Sequence, residues 1–399
     1  GATVIKVEPP YGDAQRTQGP GFGCEQTDME DPTIDLNNTN KNFVSINLKN
    51  EEGMKFMKKL LADADIFVNN LRDKALNKMG LDYETLHKEF PTLIWAQMRG
   101  YGEYGPEKDS PGFDAVCWAA RGGVANVFRE DGESPAIAPQ AFGDYNVGHM
   151  LATGIVSALF NRTRTGKGEK VVTNLYAGAI WGGNIGICAT QFGAPYPKSR
   201  KHVPNPFNNT YRTYDDKWIY ICMPQYDKYY PMMMGLFGHE DQIENPDTNN
   251  LTSLKASGKN VEVIDWLEKA FAKKTFDEWM AIFKENEVPA QKCFRYTDVV
   301  KDEEAYDNDA LRMVEYEAYG KRALPMTPVR FGSYGDPPVV LSKPIGYHTA
   351  EFMHDYGYSD EEIAKIAEDG GVVVYDGPEI EDRIFVSKRQ AAGEAPCNW

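Results

Sequence analysis

The sequence is short of the features that mark a membrane span, a disulfide framework or a metal centre. No apolar run approaches the ~20 residues needed to cross a bilayer. Six cysteines, at 24, 117, 188, 222, 293 and 397, are scattered without a C-x-x-C pair, which argues for reduced thiols rather than disulfides or a zinc site. Six histidines include no H-E-x-x-H or comparable spacing, so no metal is expected. Positive charge is scarce as well: 43 Lys and Arg stand against 59 Asp and Glu, a formal charge of −16. A phosphate backbone needs a basic footprint, so neither a nucleic-acid nor a membrane partner is expected. An anionic small ligand stays open where a few lysines and arginines gather. No basic segment followed by an apolar one opens the chain, and a cytoplasmic location is the expectation.

What is present belongs to a folded enzyme-sized protein. At 399 residues the chain has room for two or three domains, and 12% aromatic residues are too many for disorder. Strand-like runs at 3–8 (TVIKVE), 43–48 (FVSINL), 65–70 (DIFVNN), 93–99 (LIWAQMR) and 170–176 (KVVTNLY) alternate with amphipathic helical patterns at 51–64 and 82–90. That alternation predicts βαβ units, an α/β class and a mostly parallel sheet. A long helix is expected over 146–161, with Val147, Met150, Leu151, Ile155, Ala158 and Leu159 on one face.

From about 195 the pattern changes. A Pro/Asn-rich loop, SRKHVPNPFNN, leads into a hairpin, TYRTYDDKWIYICM, turned at Asp215 and Asp216; helical segments follow. The expected organisation is a large domain over 1–195, a smaller α+β domain over 200–300, and a part over 303–399 that completes the large domain. The tail from about 377 is unassigned. The opening GATVIKVEPP reads as a helix cap running into a strand, with the helix itself absent. The expectation is that one βα unit of the natural chain precedes it.

The segment QMRGYGEYGPEKDSPGFD (97–114) contains a G-x-G-x-x-G at Gly100, Gly102 and Gly105. A dinucleotide fingerprint must follow a strand and open a helix. A strand precedes it, but Pro106 to Pro111 form a loop, and no strand-end acid follows at the right distance to hold a ribose. An NAD-dependent dehydrogenase is therefore disfavoured. The glycines are read instead as a strand-end loop that bends closely around another ligand.

Read with its neighbours, the segment resembles a known family. GATVIKVEPPYGDAQR, NKNFVSINLKNEEG, ADIFVNNLRDKALNKMGLDYETL, LIWAQMRGYGEYGPEKDSPGFDAV and FGDYNVGHMLATGIVSALFNRTRTGKG stand in the order found in class III CoA-transferases, the family of formyl-CoA transferase and carnitine CoA-transferase. VPNPFNNTYRTYDDKWIYICMPQYD and ARGGV resemble the branch that acts on phenyllactate and 2-hydroxyisocaproate, which points to amino-acid fermentation. The resemblance implies a Rossmann-like large domain and an interlocked homodimer. It also implies transfer of CoA from a 2-enoyl- or 2-hydroxyacyl-CoA to a free 2-hydroxy acid, such as an aryllactate, through an aspartyl mixed anhydride. Acyl-CoA and a carboxylic acid are then substrates, and no cofactor is needed.

The resemblance places the nucleophile at Asp144, in FGDYNVGHM. Read locally, the same residue is a helix N-cap. The family's CoA contacts fall on Ile46, Lys49, Asn70, Leu71, Ala75 and Lys78, while Pro9 stands where relatives often carry an arginine. A mixed anhydride must be kept from water. Candidate covers are Gly100, Tyr101 and Gly102 with Phe113, or Phe207 and Asn208 of the small domain. Relatives with a run of three or more glycines in the middle region have a lid that this chain, with pairs at most, lacks. Acyl-CoA racemases of the same fold carry a histidine at the position of Phe113, and a phenylalanine cannot exchange a proton. His149 is expected to pack. A CoA-binding protein without catalysis is the remaining alternative.

Overall fold

The computed structural model describes residues 2–333 and 335–394; Cys397 lies outside them. The expected strands of the first half form within one or two residues of their sequence bounds. β1 (Ile5–Glu8) lies parallel to β2 (Asn42–Ile46), with Val7 opposite Val44. β3 (Ile66–Asn69), β4 (Ile94–Arg99) and β5 (Lys170–Asn174) make an all-parallel sheet in that order, with Phe67 opposite Trp95 and Gln97 opposite Val172.

The helix Glu51–Asp63 joins the two sheets. Asn50 caps it by accepting the N–H groups of Glu52 and Gly53. Its buried Phe56, Met57, Leu60 and Leu61 recur at helical spacing along one face. They share a core with Val44 and Ile46 of one sheet and Trp95 of the other. Met353, Ile363, Ile366 and Val372 join the same core from the far end of the chain. There Val372–Val373 pairs antiparallel with β2, Val372 opposite Ile46. The first sheet is therefore mixed, and the expectation of parallel pairing holds throughout in the second alone.

The long helix runs Phe142–Thr165, a turn longer at each end than its apolar periodicity indicates. Val147, Leu151 and Ala158 are buried, whereas Met150, Ile155 and Leu159 are half-buried. Its outer side leaves Val156 and Phe160 64% and 67% exposed.

β6 (Asn208–Arg212), β7 (Trp218–Cys222) and β8 (Ala290–Lys292) form a separate antiparallel sheet. Asp216 takes a positive φ at the hairpin turn, as Asp and Asn readily do. One face of this sheet is covered by helices Tyr226–Phe237, Asn260–Phe271 and Phe276–Glu285. Aromatic rings fill that core, with Tyr211 stacked on Phe271 at 4.8 Å and Trp279 on Phe283 at 5.4 Å.

The C-terminal part carries a hairpin, Leu311–Tyr316 with Gly320–Pro325. The tail that the sequence left unassigned is folded onto it. Ile384–Phe385 pairs with Val339–Val340, Ser387 Oγ donates to Asp336 at 2.7 Å, and Arg383 bonds Glu30 at 2.6 Å.

Candidate active site

The glycine segment forms a loop with a closed neck. A Cβ built on Gly100 would fall 2.7 Å from Gly112 Cα and 2.9 Å from Cys117 Sγ, so two backbones and a sulfur cross where only glycines fit. Gly105 has φ +87°, which favours glycine for a second reason. A Cβ on Gly102 meets nothing closer than 3.9 Å. The motif thus answers to loop closure, and no α-helix opens on it.

After the neck, Asp114 leads into a π-helical turn, Ala115–Arg121. Arg121 at its end pairs with Glu107 at 3.2 Å and lies over the rings of Tyr101 and Tyr176 at 5.3 and 5.5 Å. The loop is thereby clamped from inside. Cys117 is buried and hydrogen-bonded to the Tyr101 hydroxyl; burial pushes its thiol up, which keeps it protonated and unreactive.

The start of the 142–165 helix corrects the local reading of Asp144. The cap position belongs to Ala141, at φ +56° and with no side-chain bond to offer. The acceptor comes from elsewhere: Asp114 Oδ1 takes the Gly143 N–H at 3.1 Å, and the same carboxylate takes that of Phe142. Asp144 is the third helical residue. Its carboxylate is open to solvent and takes no hydrogen bond or ion pair among the described residues. Enough protein surrounds it that desolvation, and then the charge of Asp114, push its pKa up. Asp114 went unnoticed in the sequence because its partner amides lie 28 and 29 residues further on. Its place directly before a buried aromatic segment was the available signal.

The other candidates divide. Phe113 is 76% exposed and stands in sequence beside Asp114, hence next to the helix start. Asn208 is exposed at the beginning of β6. Two covers need correction. Tyr101 is 8% exposed and packs with Trp118, Val147 and Leu175 beneath the loop. Phe207 is wholly buried, stacked on Tyr226 at 4.6 Å in the core beneath the antiparallel sheet; neither ring is free to close over a ligand. His149 does not pack as expected. It is exposed, with Nδ1 bonded to the Tyr145 carbonyl at 2.8 Å.

Of the CoA candidates, Ile46 and Lys49 lie at or just past the end of β2 and Asn70 and Leu71 just past β3, where α/β ligands gather. Ala75 and Lys78 lie on the helix that follows. Ile46 ends β2, but its side chain is in the core, which leaves its backbone alone to meet a ligand. Lys49, Asn70, Leu71, Ala75 and Lys78 are exposed. Leu71 is held from below: buried Gln97 donates to its carbonyl at 2.7 Å. Arg99 donates to both oxygens of Asp73 at 2.7 and 2.9 Å and to the Lys108 carbonyl at 3.2 Å. One guanidinium thus ties the helix Asp73–Met79, which carries Ala75 and Lys78, to the glycine loop. Among the described residues no cluster of metal-ligating side chains occurs and no helix is long and apolar enough to cross a membrane. Two surface grooves, of about 420 and 320 Å³, are lined by other residues, one on the small sheet around Arg200, Trp218 and Cys293 and one around Trp181.

Comparison with known proteins shows the family. Residues 1–349 match the model of CoA-transferase family III. The chain is 40% identical to a cinnamoyl-CoA:phenyllactate CoA-transferase of Clostridium sporogenes, covering 94% of this chain and 91% of that protein. It is 38% identical to an (R)-2-hydroxy-4-methylpentanoate CoA-transferase of Clostridioides difficile, covering 94% and 93%. Among solved structures, Rv3272 from Mycobacterium tuberculosis superposes with a TM-score of 0.73 at 27% identity, over 88% of this chain and 91% of that one. The chain belongs to CoA-transferase family III.

Proposed function

We propose that this enzyme moves CoA from a 2-enoyl- or 2-hydroxyacyl-CoA to a free 2-hydroxy acid, an aryllactate or 2-hydroxyisocaproate, with Asp144 as nucleophile. The observation that carries the mechanism is the carboxylate of Asp144, raised in basicity and unpaired at the start of a 24-residue helix. Its oxygen attacks the thioester carbonyl; the C–S bond breaks and the thiolate leaves with the electron pair, giving a mixed anhydride. The acceptor carboxylate attacks the Asp144 carbonyl and releases the donor acid. The thiolate then attacks the acceptor carbonyl and restores Asp144. The acyl bond energy is retained throughout, so the exchange needs no ATP.

CoA is read as a substrate lying across the ends of β2 and β3, on Lys49, Asn70, Leu71, Ala75 and Lys78, with the backbone at Ile46. Phe113, exposed and without a proton to exchange, favours transfer over racemisation. A Rossmann-like large domain and an interlocked homodimer belong to the same reading. The support for a dimer is an apolar surface that a lone chain leaves in water: Phe160, Trp181, Ile185 and Phe192 are 67%, 70%, 79% and 87% exposed.

Asp144→Asn should reduce CoA transfer to background with acyl-CoA affinity and melting temperature unchanged, since the residue caps nothing. Hydroxylamine added with acyl-CoA should convert Asp144 to its hydroxamate, read as a mass change on one peptide. Transfer by Asp144→Asn at near the parent rate would refute the mechanism.

A further inference from the structure

Asp114 caps, from 28 residues upstream, the helix whose third residue is Asp144. Its carboxylate holds the N–H groups of Phe142 and Gly143, the two residues just before the nucleophile. It is 8% exposed. We propose that Asp114 is the positioning residue of the transfer reaction, fixing the first turn of the helix and setting a negative charge beside the nucleophilic carboxylate. The inference rests on Asp144 being the nucleophile.

The charge acts in a definite direction. While Asp144 is ionised, two carboxylates share the start of the helix; on acylation Asp144 becomes neutral and its charge leaves with the thiolate. Like-charge repulsion therefore opposes the resting state and is relieved in the anhydride. The same repulsion makes Asp144 more basic and a stronger nucleophile. Burial pushes the Asp114 carboxyl above the ordinary carboxylate value, and its backbone N–H bonds to the helix start oppose that rise only in part.

The charged groups on neighbouring elements are otherwise engaged. Arg121 of the π-turn pairs with Glu107 of the loop, Arg99 of β4 with Asp73, and Lys170 of β5 with Glu103. Cys117 and Tyr101 bond each other, Tyr176 faces Arg121, and His149 bonds its own helix. Asp114 is the charge that acts on Asp144.

The test is Asp114→Asn, whose amide oxygen can accept the same two N–H bonds without the charge. Single-turnover acyl transfer should slow severalfold at neutral pH, with KM for acyl-CoA and the melting temperature near those of the parent. The acid limb of the pH–rate profile, where Asp144 takes up a proton, should move to lower pH because the neighbouring charge is gone. Asp114→Ser repeats the measurement should the amide variant fold poorly. A parent-like rate and profile overturns the proposal, and so does a loss confined to melting temperature and KM with the acid limb unmoved. Failure of the nucleophile itself shows separately, as transfer by Asp144→Asn and no hydroxamate in the parent protein.

Discussion

Two glycines of one helix should respond to alanine in opposite directions. A Cβ on Gly143 would fall 2.2 Å from Asp114 Oδ1 and 2.3 Å from Trp118 Cγ. Neither neighbour can give way freely, since the carboxylate is held by the helix it caps and the indole lies in the core beneath the loop. Overpacking of this kind costs about 1–3 kcal/mol, and displacing the cap costs about 1 kcal/mol more. Against this, replacing a helical glycine by alanine contributes up to about 1 kcal/mol. The balance for Gly143→Ala is a loss of about 1–3 kcal/mol. At Gly148 the nearest atom to a new Cβ is Met98 Cε at 3.9 Å, an ordinary contact, so Gly148→Ala should gain up to about 1 kcal/mol. Hydrogen exchange read by mass spectrometry on the first turns isolates the effect from the rest of the chain. The Tyr145 amide, bonded to the Ala141 carbonyl at 3.0 Å, should exchange about tenfold faster for each 1.4 kcal/mol lost in Gly143→Ala and no faster in Gly148→Ala. Equal protection in the two variants would refute the account of the capped helix start.

Three further outcomes follow from other parts of the molecule. Arg99→Lys loses the fork that joins Asp73 to the Lys108 carbonyl, and should raise KM for acyl-CoA severalfold in steady-state assays while kcat holds. Asp309→Ala strands the buried Arg312, which Asp309 meets at 2.9 and 2.5 Å, and should cost about 3–5 kcal/mol in chemical denaturation. Glu30 accepts the N–H groups of Glu317 and Ala318 and the Arg383 guanidinium; burial raises its pKa, but these bonds outweigh it and leave it below 4.5. A depressed carboxylate contributes its stability above the unfolded value and loses it as pH falls through the folded one. Protease cleavage after Arg383 should therefore rise as pH falls below about 4.5, and Glu30→Gln should show the same cleavage at neutral pH.

The fold was legible where a segment carries its own periodicity. The strands of the first half are short apolar runs set between helical patterns, with β2 and β4 buried at consecutive residues. The helix 51–63 buries one face at helical spacing and the hairpin turned at Asp216 alternates buried and exposed residues, so local sequence suffices. The ends of the long helix were not legible, because its capping oxygen comes from Asp114 and its outer face is apolar yet exposed. The tail failed for a related reason. Its order rests on Arg383 with Glu30 and Ser387 with Asp336, pairs 353 and 51 residues apart that no local pattern announces. Phe207 was misplaced because a ring in a Pro/Asn-rich loop reads as exposed, whereas here that loop drops it onto Tyr226.

The same distinction explains what could be read of the site. An aspartate ahead of an amphipathic helix has the composition of a cap, and nothing local separates a carboxylate bound to backbone amides from one left free. A carboxylate that caps is a poor nucleophile, since its lone pairs are directed at N–H groups and its charge is already stabilised. On the proposed mechanism the chain divides the two tasks between two aspartates. Asp114 is buried and bonded to the helix start, and Asp144, one residue beyond the bonded amides, keeps its lone pairs. The division requires Gly143 between them, because any side chain there would occupy the space of the Asp114 oxygen. The short run Gly143–Asp144 is thus one device, in which the glycine lets the distant carboxylate cap the helix and the aspartate is thereby left available for chemistry.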